Sequence, residues 1–178
     1  MRTNIVFTLT GPDRVGIVED VTAVMLGLDG NVETSRMTRL GGEFAILMLV
    51  SLPEARADEV ESAIARLAAE GYRVSVSTTD RATAEAYRGW LRYQIDVHGA
   101  DHEGIIHEMA RGLSRRGINI ESADTGTTRA PVSGTPLFSM MALVAVPPDL
   151  AEAEWTEELR EVVYEANVGI SITAVDVE

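Results

Sequence analysis

The chain has 178 residues, a formal net charge of −13 at pH 7 and 46% hydrophobic residues, the balance of a soluble globular protein. Residues 1–88 carry 9 basic against 13 acidic side chains and residues 89–178 carry 6 against 15, so neither half offers the basic stripe that grips nucleic acid or an anionic membrane. Every basic residue is arginine and there is no cysteine, which excludes lysine Schiff bases, phosphate-loop lysines, disulfides, thiolate nucleophiles and cysteine–zinc sites.

Ile5, Phe7 and Leu9 recur every second residue, the pattern of a half-buried strand. A loop from Gly11 to Gly16 follows, and Ile17, Val21, Val24 and Leu28 then fall on one helical face. Asp29-Gly30-Asn31 ends this helix, with Gly30 expected at the left-handed cap. Val32 to Leu40 reads as a strand with an exposed side, Gly41-Gly42 as a hairpin turn, and Phe44 to Leu52 as a buried strand near a sheet centre. Pro53 stops that strand. Val60, Ala63, Ile64, Leu67 and Ala68 predict a second helix closed by Gly71, and Val74 and Val76 a last strand.

The order then repeats. Tyr93, Ile95 and Val97 mark a strand, Ile105, Met109 and Leu113 a helix stripe, and Ile120–Thr128 and Leu137–Val146 two hairpin arms. Trp155, Leu159, Val162 and Val163 line another helix, and Val168 to Val175 closes the set. Gly11-Pro12-Asp13-Arg14-Val15-Gly16-Ile17-Val18 returns 88 positions on as Gly99-Ala100-Asp101-His102-Glu103-Gly104-Ile105-Ile106, and Asn31 and Glu33 return as Asn119 and Glu121. One β-α-β-β-α-β unit was therefore built twice. The expected division is a domain over 1–80, a short linker over 81–91 that is charged and Ala-rich, and a second domain over 92–178. The fold class is α+β: two ferredoxin-like units, each an antiparallel sheet with both helices on one face.

The recurring loop has two readings. Asp13 and Asp101 stand where a helix N-cap belongs, and Gly16 and Gly104 suit tight packing, so the loop has a structural role in any case. Gly11 and Gly99 precede the loop in both copies, and a helix start stripped of side chains is a ready anion site. Asn31 and Asn119 follow the first helix of each unit, at its opposite end. In a split β-α-β unit an asparagine therefore does not meet its own loop, but pseudo-twofold packing of units would bring one unit's loop to another's amide. An amide donates and accepts, which suits a zwitterion; the plainer reading is an asparagine in a turn.

These motifs resemble the ACT domain, a small-molecule-sensing module of amino-acid metabolism. Gly-Asn-Val-Glu and Ile-Asn-Ile-Glu complete the resemblance, which spans nearly the whole chain. The long second hairpin, Thr128 to Phe138, is similar to that of glycine cleavage system regulatory proteins. The resemblance implies a regulatory, non-enzymatic protein that senses a small amino acid, glycine first, at ACT interfaces and controls a partner, a transcription factor of glycine cleavage genes. The alternative it implies is a detached regulatory subunit of a metabolic enzyme. The ligand contacts it implies are Gly11, Asp13, Arg14, Gly16 and Asn31 in the first unit and Gly99, Asp101, His102, Gly104 and Asn119 in the second. Val15 and Glu103 stand where proline is frequent in the family, and Glu103 adds a negative charge beside loop two.

No cofactor and no metal is expected. His98, His102 and His107 do not share a helical face at a metal-ligand spacing, no Gly-x-Ser-x-Gly elbow is present, and Glu152, Glu154, Glu157, Glu158 and Glu161 read as a solvated helix face. The start Met1-Arg2-Thr3-Asn4-Ile5 does not read as a signal peptide and no stretch approaches the ~20 apolar residues of a membrane span, so the expectation is cytoplasmic. A homo-oligomer, a dimer, is expected, with no direct nucleic-acid or membrane contact.

Overall fold

Alternation decides the sheets. In β1 (Arg2–Pro12) Ile5, Phe7 and Leu9 are buried while their neighbours are not, and the same holds for Tyr93, Ile95 and Val97 of β5 (Leu91–Ala100). The protein is described by a computed structural model over residues 1–79, 85–165 and 167–175. It divides into two units, Met1–Ala86 and Tyr87–Glu178. Residues 81–84 of the expected linker lie outside the described residues, and 85–89 form turns before β5 opens.

The first unit continues with α1 (Ile17–Gly27), β2 (Asn31–Leu40), β3 (Glu43–Pro53), a 3-10 turn (Glu54–Glu59), α2 (Val60–Ala69) and β4 (Arg73–Thr78). The second has α3 (Ile105–Arg115), β6 (Asn119–Arg129), β7 (Pro136–Val146), α4 (Glu152–Glu165) and β8 (Val168–Val175). Both sheets are antiparallel with matching orders, β2-β3-β1-β4 and β6-β7-β5-β8. This is the ferredoxin-like arrangement. Ile17, Val21 and Met25 of α1 and Val60 and Leu67 of α2 join the inward residues of β1 and β3 in one core, so both helices cover one face. Ile105, Met109 and Leu113 of α3 and Trp155, Leu159 and Val163 of α4 do the same over β5 and β7. Each such buried side chain contributes about 1.5–3 kcal/mol. Tyr93 meets Trp155 edge to face at 5.2 Å and donates its hydroxyl to Glu152 at 2.9 Å.

Gly41 and Gly42, at φ 59° and 92°, form the two-residue turn joining β2 to β3. At the end of α1 the left-handed residue is Asp29, at φ 52°, rather than Gly30. Gly30 is needed for space: a Cβ there would lie 2.8 Å from the Met25 carbonyl oxygen. Glu33 and Glu121 are the extra residue of a β-bulge at the same place in both edge strands. That bulge gives the repeated Asn-x-Glu a shared structural cause.

The strand ends are packed tightly. A Cβ on Gly99 would sit 2.6 Å from the Val168 side chain and 2.8 Å from its Cα, whereas one on Gly27 meets nothing within 4 Å. Gly99→Ala should therefore destabilise the protein by roughly 1–3 kcal/mol, and Gly27→Ala should be neutral or stabilising by up to about 1 kcal/mol. Urea unfolding of the two variants against the parent measures both; an unaffected Gly99→Ala would contradict the packing described.

Candidate functional site

Each recurrent loop begins inside the sheet. The Asp13 N–H donates to the Gly42 carbonyl at 3.0 Å, and the Asp101 N–H to the Pro136 carbonyl at 3.0 Å. Both aspartates are thus the last rungs of a ladder, three residues short of their helices. The helices start at Gly16 and Gly104, at φ 90° and 95°, with no side-chain cap. Their carbonyls accept from Asp20 N–H at 3.0 Å and Glu108 N–H at 2.9 Å. The capping role expected of Asp13 and Asp101 is corrected accordingly: the left-handed glycine makes the turn, and the carboxylates stay at the sheet's end.

Gly11 and Gly99 have a packing reason of their own. A Cβ on Gly11 would lie 2.5 Å from the Tyr72 ring, as one on Gly99 would meet Val168. Their bareness is accounted for by the neighbouring strand. Arg14 is engaged within its unit, donating to Asp20 at 2.5 Å and Glu70 at 2.9 Å with its guanidinium 5.7 Å over Tyr72. His102 occupies the matching position in the second unit, its Nδ1 3.0 Å from the Glu103 carbonyl.

The edge strand decides what each aspartate meets. Gly11 pairs across Phe44 to Arg39, and Gly99 across Phe138 to Thr127, so Arg39 and Thr127 are equivalent. Arg39 Nε lies 2.7 Å from the Asp13 carboxylate. Thr127 Oγ1 lies 3.4 Å from the Asp101 carboxylate, a weak contact to a neutral group. Met37 is likewise replaced by Thr125. In the second unit the space between α3 and β6 is an open groove of about 690 Å³. Asp101, His102, Gly104, Thr125, Thr127 and Phe138 are among its lining residues, together with Ile106 and His107 of the first helical turn. Pockets that hold small ligands span ~300–1,000 Å³.

Of the expected contacts, Asp101, His102 and Gly104 converge on this groove, while Asn119 does not. Asn119 pairs across Ala145 to Arg92, seven residues along β5 from Gly99, or about 23 Å at strand spacing. Asn31 is as far from Gly11, pairing across Ser51 to Asn4. The Asn31 amide donates to Glu33 at 3.0 Å, and Glu33 also accepts from the Ser51 hydroxyl at 2.6 Å. Glu121 pairs with Arg92 at 2.9 Å. Thr125, Thr127, Ile106 and Phe138 were not picked out from sequence. The two threonines stand where the first unit has Met37 and Arg39, a difference that shows only once the strand register is known. Among the described residues no group of three or more His, Asp or Glu side chains gathers as a metal site, and no helix is long and apolar enough to cross a membrane.

Residues 3–76 match the ACT domain family model. The chain is 33% identical over 76 residues to a UPF0237 protein of Methanococcus maripaludis, spanning 41% of this chain and 84% of that protein. The chain belongs to the ACT domain family. The crystal structure of an unknown protein from Galdieria sulphuraria is similar over 99% of this chain and 100% of that one, at 34% identity and a TM-score of 0.87. A candidate glycine cleavage system transcriptional repressor shares the tandem fold at 20% identity and a TM-score of 0.70, over 99% of each chain.

The first ACT unit holds two carboxyls below their usual value of 4.5: Glu33 through the Ser51 and Asn31 hydrogen bonds, and Glu70 through Arg66 and Arg14. A depressed carboxyl stabilises the fold above its unfolded pKa and loses that contribution as pH falls through the folded one. Thermal stability should therefore drop as pH is lowered below 4.5. Glu33→Gln and Glu70→Gln should flatten that dependence when melting curves are recorded from neutral to acid pH.

Proposed function

We propose that this ACT protein is a non-enzymatic regulator that binds a small amino acid, glycine first, in the groove of its second unit and passes the occupancy to a protein partner. The observation that carries this reading is a solvent-open carboxylate beside an uncapped helix start. A zwitterion needs one negative and one positive pole a few ångströms apart. Asp101 supplies the first for the ammonium, and the N–H groups in the first turn of α3, which begins without a side-chain cap, supply the second for the carboxylate. Thr125 and Thr127 add hydroxyls, and Ile106 and Phe138 make a short apolar wall suited to a small side chain or none.

The partner is a protein because the chain's charge of −13 disfavours a direct grip on DNA. The fold shared with a candidate repressor of glycine cleavage genes makes a transcription factor the first choice. The hairpin Arg129–Pro136 extends β6 just past Thr127 and leaves Val132 fully exposed, which suits it to report on the groove. Asn31 and Asn119, remote from the loops of their own units, would reach a ligand only from another copy of the fold, as in a dimer. The protein is expected in the cytoplasm, where free amino acids are its signal.

A thermal-shift screen of the full chain against the amino acids tests this. A ligand present at 100 times its Kd should add about 2.7 kcal/mol of stability. Asp101→Asn should weaken binding by one to two orders of magnitude, roughly the 1.5–3 kcal/mol of a charged hydrogen bond. A melting temperature unmoved by every amino acid would refute the proposal.

A further inference from the structure

We infer that the two units are unequal receptors: Arg39 fills in the first unit the place that a ligand's ammonium takes in the second, so each chain binds one amino acid and not two. The inference rests on the proposed function and adds which unit is open and which residue decides it.

The backbone frames are the same. The aspartate ends its ladder with a 3.0 Å hydrogen bond in both, the next helix opens at a left-handed glycine in both, and the edge strand arrives in the same register. What differs is the side chain that the register delivers. Arg39 brings a permanent cation to 2.7 Å from Asp13. Thr127 brings a hydroxyl to 3.4 Å from Asp101, too short and neutral to stand in for an ammonium. The other loop cation of the first unit, Arg14, is also spent, on Asp20 and Glu70. Its loop charges are thus matched internally, and Asp101 is not matched by an arginine.

Exposure does not rescue the first site. The Arg39 side chain is 66% exposed, and pairs that open to water are individually weak. Yet Arg39 is tethered, and a short tether holds its group at an effective concentration of order millimolar. A free metabolite at or below that level competes poorly for Asp13. Met37, a larger side chain, stands where the second unit has Thr125.

Equilibrium dialysis of labelled glycine against the full chain decides it. The parent should bind one glycine per chain at saturation. Thr127→Arg should lower that to none. Met37→Thr combined with Arg39→Thr should raise it to two. Circular dichroism and melting curves confirm that each variant is folded; should Thr127→Arg not fold, Asp101→Asn takes its place and must weaken the single site by one to two orders of magnitude. Two glycines bound to the parent, undiminished binding in Thr127→Arg, or a single site persisting after Met37 and Arg39 are both replaced would each overturn the inference and leave the amino-acid reading standing. Absence of binding in the parent, of glycine and of every other amino acid, would instead remove that reading and the inference with it.

Discussion

Between each first strand and its helix the chain turns on a glycine held at positive φ, and the chemistry of both units depends on that turn. A residue with a side chain at Gly16 or Gly104 would be strained there, so a serine or aspartate is disfavoured at the cap position. Two consequences follow together. The helix begins without a side-chain acceptor, leaving its first N–H groups unpaired by the protein's own caps. The aspartate, excluded from capping, remains at the sheet's end with its carboxylate directed toward whatever the edge strand presents.

That division of labour explains how a duplicated fold came to hold different chemistry in its two copies. The central strands carry the burden of stability, because their inward residues are nearly fully buried between the helices and the sheet. The edge strands β2 and β6 are exposed along most of their length and pair on one side only. A substitution there disturbs little packing. Exchanging arginine for threonine at one register position therefore changes the charge beside the loop while leaving the frame intact. The bulged glutamates Glu33 and Glu121 sit at the other end of the same strands, the first bonded to Ser51 and the second to Arg92.

Much of this was legible in the chain itself. Alternation at Ile5, Phe7 and Leu9, the helix stripe at Ile105, Met109 and Leu113, and the Gly41-Gly42 turn determine the element order with no reference to tertiary contacts. The repeat of Gly-Asp-Gly located the loop. What did not show was which neighbour each loop residue would meet, since that depends on pairing between strands distant in sequence. Gly11 and Gly99 read as bare for a ligand, but their bareness answers to Tyr72 and Val168, more than 60 residues away. Asp13 and Asp101 read as caps because composition near a helix start favours caps, and the positive φ three residues later is invisible to composition. Thr127 has no signature at all until its register partner is known.

The same asymmetry bears on how occupancy would be transmitted. A ligand shifts a conformational equilibrium only by as much as it prefers one state, and the element most open to such a shift is the one with least burial. In the second unit that element is β6, with the hairpin beyond it. A zwitterion touching Asp101 and the hydroxyls of Thr125 and Thr127 would tie this loose edge to the start of α3. In the first unit the Arg39–Asp13 pair makes the corresponding tie without any ligand. Under the proposed function, one edge is pinned at all times and the other only when loaded. A partner that reads the second edge would then respond to the metabolite alone, because the first unit contributes a constant.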